Sequence, residues 1–232
     1  MGYRYAELVE AHDPRNINVG VLSRYPIVCV RPHRDDLDDA QMYLLTRGCL
    51  EVDIDVKGVS LTMYIVHLRS MRSYGEGGKE EGADRRRQQS LRVREIIDER
   101  WAPLNYCGNF IVCGDFNDKN SPDSSVHDLS HHAHLENVVE RLPLTQQWTH
   151  YFTGENTYSQ LDYLLVPNLL ARLPTNARTR PQIIRSGMPL LAKRYSGVRL
   201  EVRFYFTYFE EGRKKRRKKG KKRKKKNTHF RY

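Results

Sequence analysis

Phe110-Ile111-Val112-Cys113-Gly114-Asp115-Phe116-Asn117 is the stretch on which the reading of the fold turns. Four consecutive apolar residues closed by a glycine predict a short, fully apolar strand. Beyond Gly114, side chains two apart on an extended backbone share a face, so Asp115 and Asn117 project together while Phe116 turns back into the core. A carboxylate and an amide at the mouth of a sheet can hold a hydrated divalent cation or orient an attacking water. The competing reading is an Asx turn after a strand, which the neighbouring Asp118, Asn120 and Asp123 favour.

Outward from this stretch the same pattern recurs. Leu50 to Val56 alternates apolar residues with Glu51, Asp53 and Asp55, as a strand buried on one face does. A turn at Lys57-Gly58 joins it to Val59 through Leu68, an antiparallel hairpin whose second strand ends at His67. Asp162 precedes the apolar run Tyr163-Leu164-Leu165-Val166, which Pro167 closes. Upstream, Asn18 to Ser23 is a short strand that Pro26 keeps from extending. Ser73 to Ala83, rich in glycine and charge, reads as a mobile loop. From Asp84, as N-cap, Val93, Ile96, Ile97 and Trp101 recur at helical spacing and predict an amphipathic helix laid on a sheet. Taken singly, His67 reads as a hydrogen-bonded boundary residue and Asp162 as a loop cap. Together with Asp115 they become three polar groups suited to phosphoester chemistry, each at the end of a separate apolar strand.

Composition bounds the answer. The chain has 232 residues, enough for one domain with a sizeable core. Of its 40 Lys and Arg, 14 lie in residues 212–232 with no acid among them, leaving 26 basic against 28 acidic residues, a net of −2, in the body. The expected organisation is therefore a domain over residues 1–210 and a disordered Lys/Arg-rich tail over 211–232. No apolar run is long enough to span a membrane, no signal peptide is visible, and a cytoplasmic location is the default expectation. Four cysteines without a C-x-x-C pair do not suggest a disulfide scaffold.

The segments Gly20-Val21-Leu22-Ser23-Arg24-Tyr25-Pro26-Ile27, Val66-His67-Leu68-Arg69-Ser70, Gly114-Asp115-Phe116-Asn117-Asp118 and Ser159-Gln160-Leu161-Asp162-Tyr163-Leu164-Leu165 resemble, in this order, motifs of the endonuclease/exonuclease/phosphatase superfamily. Glu140 to Leu142 with Trp148-Thr149-His150-Tyr151 is similar to a bacterial uncharacterised subgroup. The resemblance implies an α/β fold, the four-layered α-β-β-α sandwich of deoxyribonuclease I, and hydrolysis of a phosphoester with Mg²⁺ or Mn²⁺. It implies that Asp115 orients or deprotonates the attacking water and that Asn117 helps to place it, both also serving as candidate metal ligands. By the same resemblance His67 hydrogen-bonds a phosphate oxygen, Asp162 orients a C-terminal histidine, and Arg69 and Trp148 contact substrate. Nucleic acid is the foremost substrate class, ahead of phosphorylated lipids and small phosphate esters.

The resemblance also implies features this sequence does not display. A metal-binding Glu is expected on a strand before Gly20, after a further strand bearing an Asn. Nineteen residues are too few for both, and Glu7 and Glu10 do not fit that context. A closing Ser-Asp-His is expected near the C-terminus and does not occur, leaving Asp162 without its partner. The expectation is an incomplete sandwich, truncated at both ends, with impaired catalysis. The alternative is a non-catalytic remnant that binds nucleic acid or other polyanions through its tail by counterion release, and the tail can equally be a frame-shift artefact. His127, His131, His132 and His134 read as a solvated loop rather than a zinc site, since no third ligand stands at suitable spacing. Trp148 and Tyr151 can stack on a base or cover the core, and core packing is the expectation.

Overall fold

The computed structural model describes residues 2–71, 78–152, 154–172, 181 and 183. The basic tail, Ser186 to Gly197 and residues 73–77 of the glycine-rich stretch lie outside these residues. Among the described residues a mixed sheet of six strands runs β3 (Ile27–Arg31), β4 (Cys49–Val56), β5 (Val59–His67), β6 (Phe110–Asp115), β10 (Asp162–Pro167) and β7 (Leu135–Asn137), in that spatial order. Two ribbons accompany it, β1 (Tyr5–Val9) with β2 (Val19–Ser23) and β8 (His150–Phe152) with β9 (Thr157–Ser159). The long helix α1 (Gly78–Trp101) connects β5 to β6, and α2 (His127–Ser130) and α3 (Asn168–Ala171) are single turns. No helix among the described residues is long and apolar enough to cross a membrane. All four cysteines are free thiols.

Two apolar cores sandwich the sheet. On one face Val93, Ile96, Ile97 and Trp101 of α1 pack on Tyr64, Val66, Phe110, Val112, Tyr163 and Leu165, the stripe the helical spacing predicts. Trp101 stacks on Phe110 and donates its indole N–H to the Tyr64 hydroxyl at 2.9 Å, so its polar atom is satisfied in the core. On the other face Leu50, Val52, Ile54, Ile111 and Leu164 meet Val19, Val138 and Val139, with Val9 and Val21 of the β1–β2 ribbon against them. Helix, sheet and ribbon are thus three layers of an α/β sandwich.

The structure departs from the sequence reading in four places. Tyr5–Val9 forms a strand, with Glu7 exposed on it. β2 stops at Ser23, short of Pro26 as expected, but a separate strand that the local pattern did not predict, Ile27–Arg31, follows and joins the main sheet. Helix α1 begins at Gly78, so Gly78 to Ala83 is helical rather than part of a loop, and Asp84 is not a cap; it sits within the helix and pairs with Arg87. Finally, β4 is buried on both faces, because its acidic side is not wet. Glu51 accepts hydrogen bonds from Arg31 and Arg100 and contacts the His33 ring, while Asp53 is held by Arg31, Arg100 and the Thr62 hydroxyl. Burial pushes both carboxyls up, and the partners outweigh it, holding each below its ordinary value. Arg100 comes from the last turn of α1, so the helix covers this face with charge rather than leaving it to water.

Gly114 shows why the central pairing needs its glycine. Its φ is +137°, and a Cβ built on it would lie 1.9 Å from the carbonyl oxygen of Val66 on the neighbouring strand. Since the obstacle is backbone, it cannot swing aside. Gly114→Ala is expected to destabilise the fold by about 3 kcal/mol or more, combining a left-handed conformation with overpacking. A shift in the urea denaturation midpoint at unchanged slope checks it.

Candidate active site

Strand direction places three side chains in one row. β6 runs parallel to β5 and antiparallel to β10, and in register His67 lies beside Asp115, which lies beside Asp162. Cross-strand neighbours project from the same face of a sheet. The sheet therefore presents one imidazole and two carboxyls together at the end where β5 and β6 finish and β10 begins.

Each group is perturbed by its surroundings. Burial, then the nearby Arg47 guanidinium, lowers His67 to about 4, so the ring is neutral at pH 7. Its Nε2 lies 3.7 Å from Asp115 Oδ2, too far for a hydrogen bond. Burial raises Asp115, only partly countered by the Asn117 N–H. Asp162 rises to about 7 through burial and then through the charge of Asp115, with the Thr149 hydroxyl working against both. Two carboxyls with raised pKa side by side are a pair that an added positive charge would stabilise.

The turn after β6 is both an Asx turn and a site element. Asp115 Oδ1 accepts the Asn117 N–H at 2.8 Å, and Asn117 takes a left-handed φ of 54°, which asparagine tolerates better than most residues. The Asn117 amide is buried and donates to the Leu68 carbonyl at 3.0 Å. The same carbonyl accepts from Arg47 at 2.9 Å, whose Nε bonds Asp13 at 2.8 Å. Asp118 does not merely turn the chain; it accepts from Ser125 and pairs with Arg86 of α1 at 3.2 Å.

Supporting residues that the sequence reading missed are all distant in the chain. Arg47 and Asp13 are buried polar groups whose charges act on His67, and neither stands in a recognisable local pattern. Thr149, 1% exposed, accepts through Oγ1 from the N–H groups of Leu161 (2.9 Å) and Asp162 (3.0 Å). Gln89 accepts the Arg69 N–H at 2.7 Å, and Arg86 bonds the Arg69 carbonyl. Thr149 alone carried a signal, its place beside Trp148 ahead of Asp162.

The remaining candidates fall apart from the row. Arg69 follows it directly, with its side chain exposed. Trp148 lies against Tyr158, and Tyr158 against Tyr151; with Tyr158 57% exposed, this is a surface cluster on the β8–β9 ribbon rather than core packing. Of the four histidines, His127 and His131 stack on each other and His134 stacks on Tyr106. His132 is buried and bonds Asp98 at 2.9 Å, so it is a structural residue and not part of a solvated loop.

A sequence profile described as the Endonuclease/Exonuclease/phosphatase family matches residues 3–184. The chain belongs to this family. Enzymes of the family generally depend on divalent metal. Among solved structures the chain is similar to SmcL, with 18% identity, a TM-score of 0.50 and coverage of 88% of this chain and 71% of SmcL. It is also similar to sphingomyelinase C from Streptomyces griseocarneus (20% identity, TM-score 0.49, 86% and 75% coverage). A family protein from Bacteroides thetaiotaomicron matches at 17% identity and TM-score 0.47, over 70% of this chain and 61% of that one. No curated protein matches the chain. The family profile and the likeness to SmcL establish the deoxyribonuclease-I-like fold.

Hard oxygen donors on Asp115, Asn117 and Asp162 suit a small divalent cation, which is commonly bound through one or two carboxylates with water completing its shell. The raised pKa values of both acids fit that role. Among the described residues, no group of three His, Cys, Asp or Glu could hold a metal, so the donors form a partial set.

The two large shifts give a stability test in metal-free buffer. Asp162 keeps its proton in the folded state up to about 7, so its contribution is present below the ordinary carboxylate range and lost as pH rises to about 7. His67 stays neutral down to about 4, so its contribution is present above 6.5 and lost as pH falls toward about 4. Relative to the parent chain, Asp162→Asn should make stability rise more steeply with pH across this window, and His67→Gln should make it fall more steeply. Urea midpoints measured across the window check both signs.

Proposed function

We propose that this protein hydrolyses phosphoesters with the help of Mg²⁺ or Mn²⁺, with nucleic acid ahead of phospholipids and small phosphate esters as substrate. The single observation behind this reading is the register of β5, β6 and β10, which sets His67, Asp115 and Asp162 side by side. Asp115 would accept the proton of the attacking water. Asn117, its backbone fixed by Asp115 and its amide by Leu68, would hold the turn in which that carboxylate is aimed. His67, neutral at working pH, would donate one ring N–H to a non-bridging phosphate oxygen as charge develops. A cation held by Asp115, Asn117 and Asp162 would neutralise phosphate charge and lower the pKa of bound water.

Low intrinsic turnover is part of this reading. Among the described residues no histidine is hydrogen-bonded to Asp162, so the acid is supported by Thr149 alone. The rival reading, a non-catalytic polyanion binder, draws on the 13 basic residues between Arg213 and Lys226, which lie outside the described residues.

Hydrolysis of bis(p-nitrophenyl) phosphate should require added Mg²⁺ or Mn²⁺ and stop with chelator. Asp115→Ala should lower kcat by about 10² to 10⁴, and His67→Ala by about 10² to 10³. Metal-dependent hydrolysis that ignores Asp115→Ala would overturn the assignment. The rival gains if no hydrolysis is seen and salt-sensitive nucleic-acid binding disappears when residues 212–232 are deleted.

A further inference from the structure

The loop that joins β1 to β2 sits at the same end of the main sheet as His67. β4 is antiparallel to β5, so its first residue, Cys49, lies opposite Val66, and Arg47 and Gly48 just before it stand beside the exit of β5. The β1–β2 loop packs on this point: a Cβ built on Gly48 would meet the Ala11 Cβ at 3.9 Å and the Val19 side chain at 3.8 Å. The Asn18 side chain closes the loop by accepting the Ala11 N–H at 3.0 Å.

Within this loop Asp13-Pro14-Arg15-Asn16 forms a β-turn. The Asn16 N–H donates to the Asp13 carbonyl at 2.9 Å, and Pro14 pre-sets the backbone at the second position of the turn. The Asp13 carboxylate, 6% exposed, then organises the side chain that the turn presents. Its Oδ1 accepts the Arg15 backbone N–H at 2.9 Å and Arg15 Nε at 3.2 Å. Its Oδ2 accepts Arg15 Nη2 at 3.2 Å and Arg47 Nε at 2.8 Å. Arg47 continues to the Leu68 carbonyl, where the Asn117 amide also arrives. One carboxylate thus ties Arg15 to the residue that follows His67 and to the turn that follows Asp115.

The two guanidiniums are placed differently. The Arg47 side chain is 4% exposed and holds its charge inside, whereas that of Arg15 is 54% exposed. Asp13 engages the Nε edge of Arg15, so the Nη1 end of the fork is not engaged by this carboxylate. The Arg15 charge is felt at the His67 ring, after burial and the charges of Arg47 and Asp13. A positive group is what the row lacks. His67 is neutral and Asp115 and Asp162 are acids, so a phosphate set among them meets no cation from the row itself. A guanidinium matches the spacing of phosphate oxygens, and one already oriented loses less freedom on binding.

Resting on the phosphoesterase reading above, we infer that Arg15 is a phosphate-binding residue of this site, presented by the Asp13 turn to engage a non-bridging oxygen beside the one His67 takes.

Isothermal titration of inorganic phosphate into the full chain, with Mg²⁺ present, tests the inference. Arg15→Ala should weaken binding about tenfold or more, the loss expected for one charge-assisted contact. Arg15→Lys, which keeps the charge without the fork, should recover part of it. Phenylglyoxal, which modifies arginine, gives a reading on the unaltered chain even where a variant does not fold. Phosphate should slow labelling of Arg15 and not that of Arg94, 41% exposed on the C-terminal half of α1, as mapped by peptide mass spectrometry. Phosphate that binds a folded Arg15→Ala chain as tightly as the parent, labelling of Arg15 that ignores phosphate, or no binding of phosphate at all overturns the inference. Hydrolysis of bis(p-nitrophenyl) phosphate by the same samples separates the two readings. Arg15-dependent phosphate binding without turnover keeps the phosphate site and removes the esterase, and turnover with phosphate binding indifferent to Arg15 does the reverse.

Discussion

The close approach of two backbones, Gly114 against the carbonyl of Val66, is the constraint from which the site follows. It lets β6 lie parallel to β5 up to its last residue, so that Asp115 reaches the level of His67. Antiparallel pairing of β6 with β10 then brings Asp162 to the same level. A side chain at position 114 would push the strands apart where the imidazole and the carboxyls must meet. The parallel pair requires a long crossover, and α1 provides it.

That helix does more than close a core. Its C-terminal half is apolar where it covers the sheet, but its N-terminal half buries Arg86, Gln89 and Ser90. Arg86 and Gln89 hold the backbone of Arg69 after β5, and Arg86 also holds Asp118 after β6. The two loops that carry the site are thus fastened to one rigid element. Arg47 and Asn117 converge on the carbonyl of Leu68. Such buried polar contacts contribute little net stability when complete and cost several kcal/mol when one partner is lost. They serve here to fix geometry, and they set the local field as well, since Arg47 helps to keep His67 neutral.

The same economy of charge appears away from the site. Glu51 and Asp53 on β4 are buried with Arg31 and Arg100, binding β3, β4 and the end of α1 together. Alternation of apolar and acidic residues usually marks a strand with one wet face. The sequence pattern is genuine, but what covers the acids comes from residues about 20 before and about 50 after them in the chain.

Local pattern alone was enough to place the strands around His67, Asp115 and Asp162 and the apolar stripe of α1, because strand and helix periods are properties of neighbouring residues. The ordered motifs carried the family as well. Tertiary structure alone decided that the three strand ends lie side by side, that Asp162 holds its proton to about 7, and that Arg47, Asp13 and Thr149 support them. Register, desolvation and long-range hydrogen bonds arise between segments far apart in the chain, and no short window of sequence contains both partners.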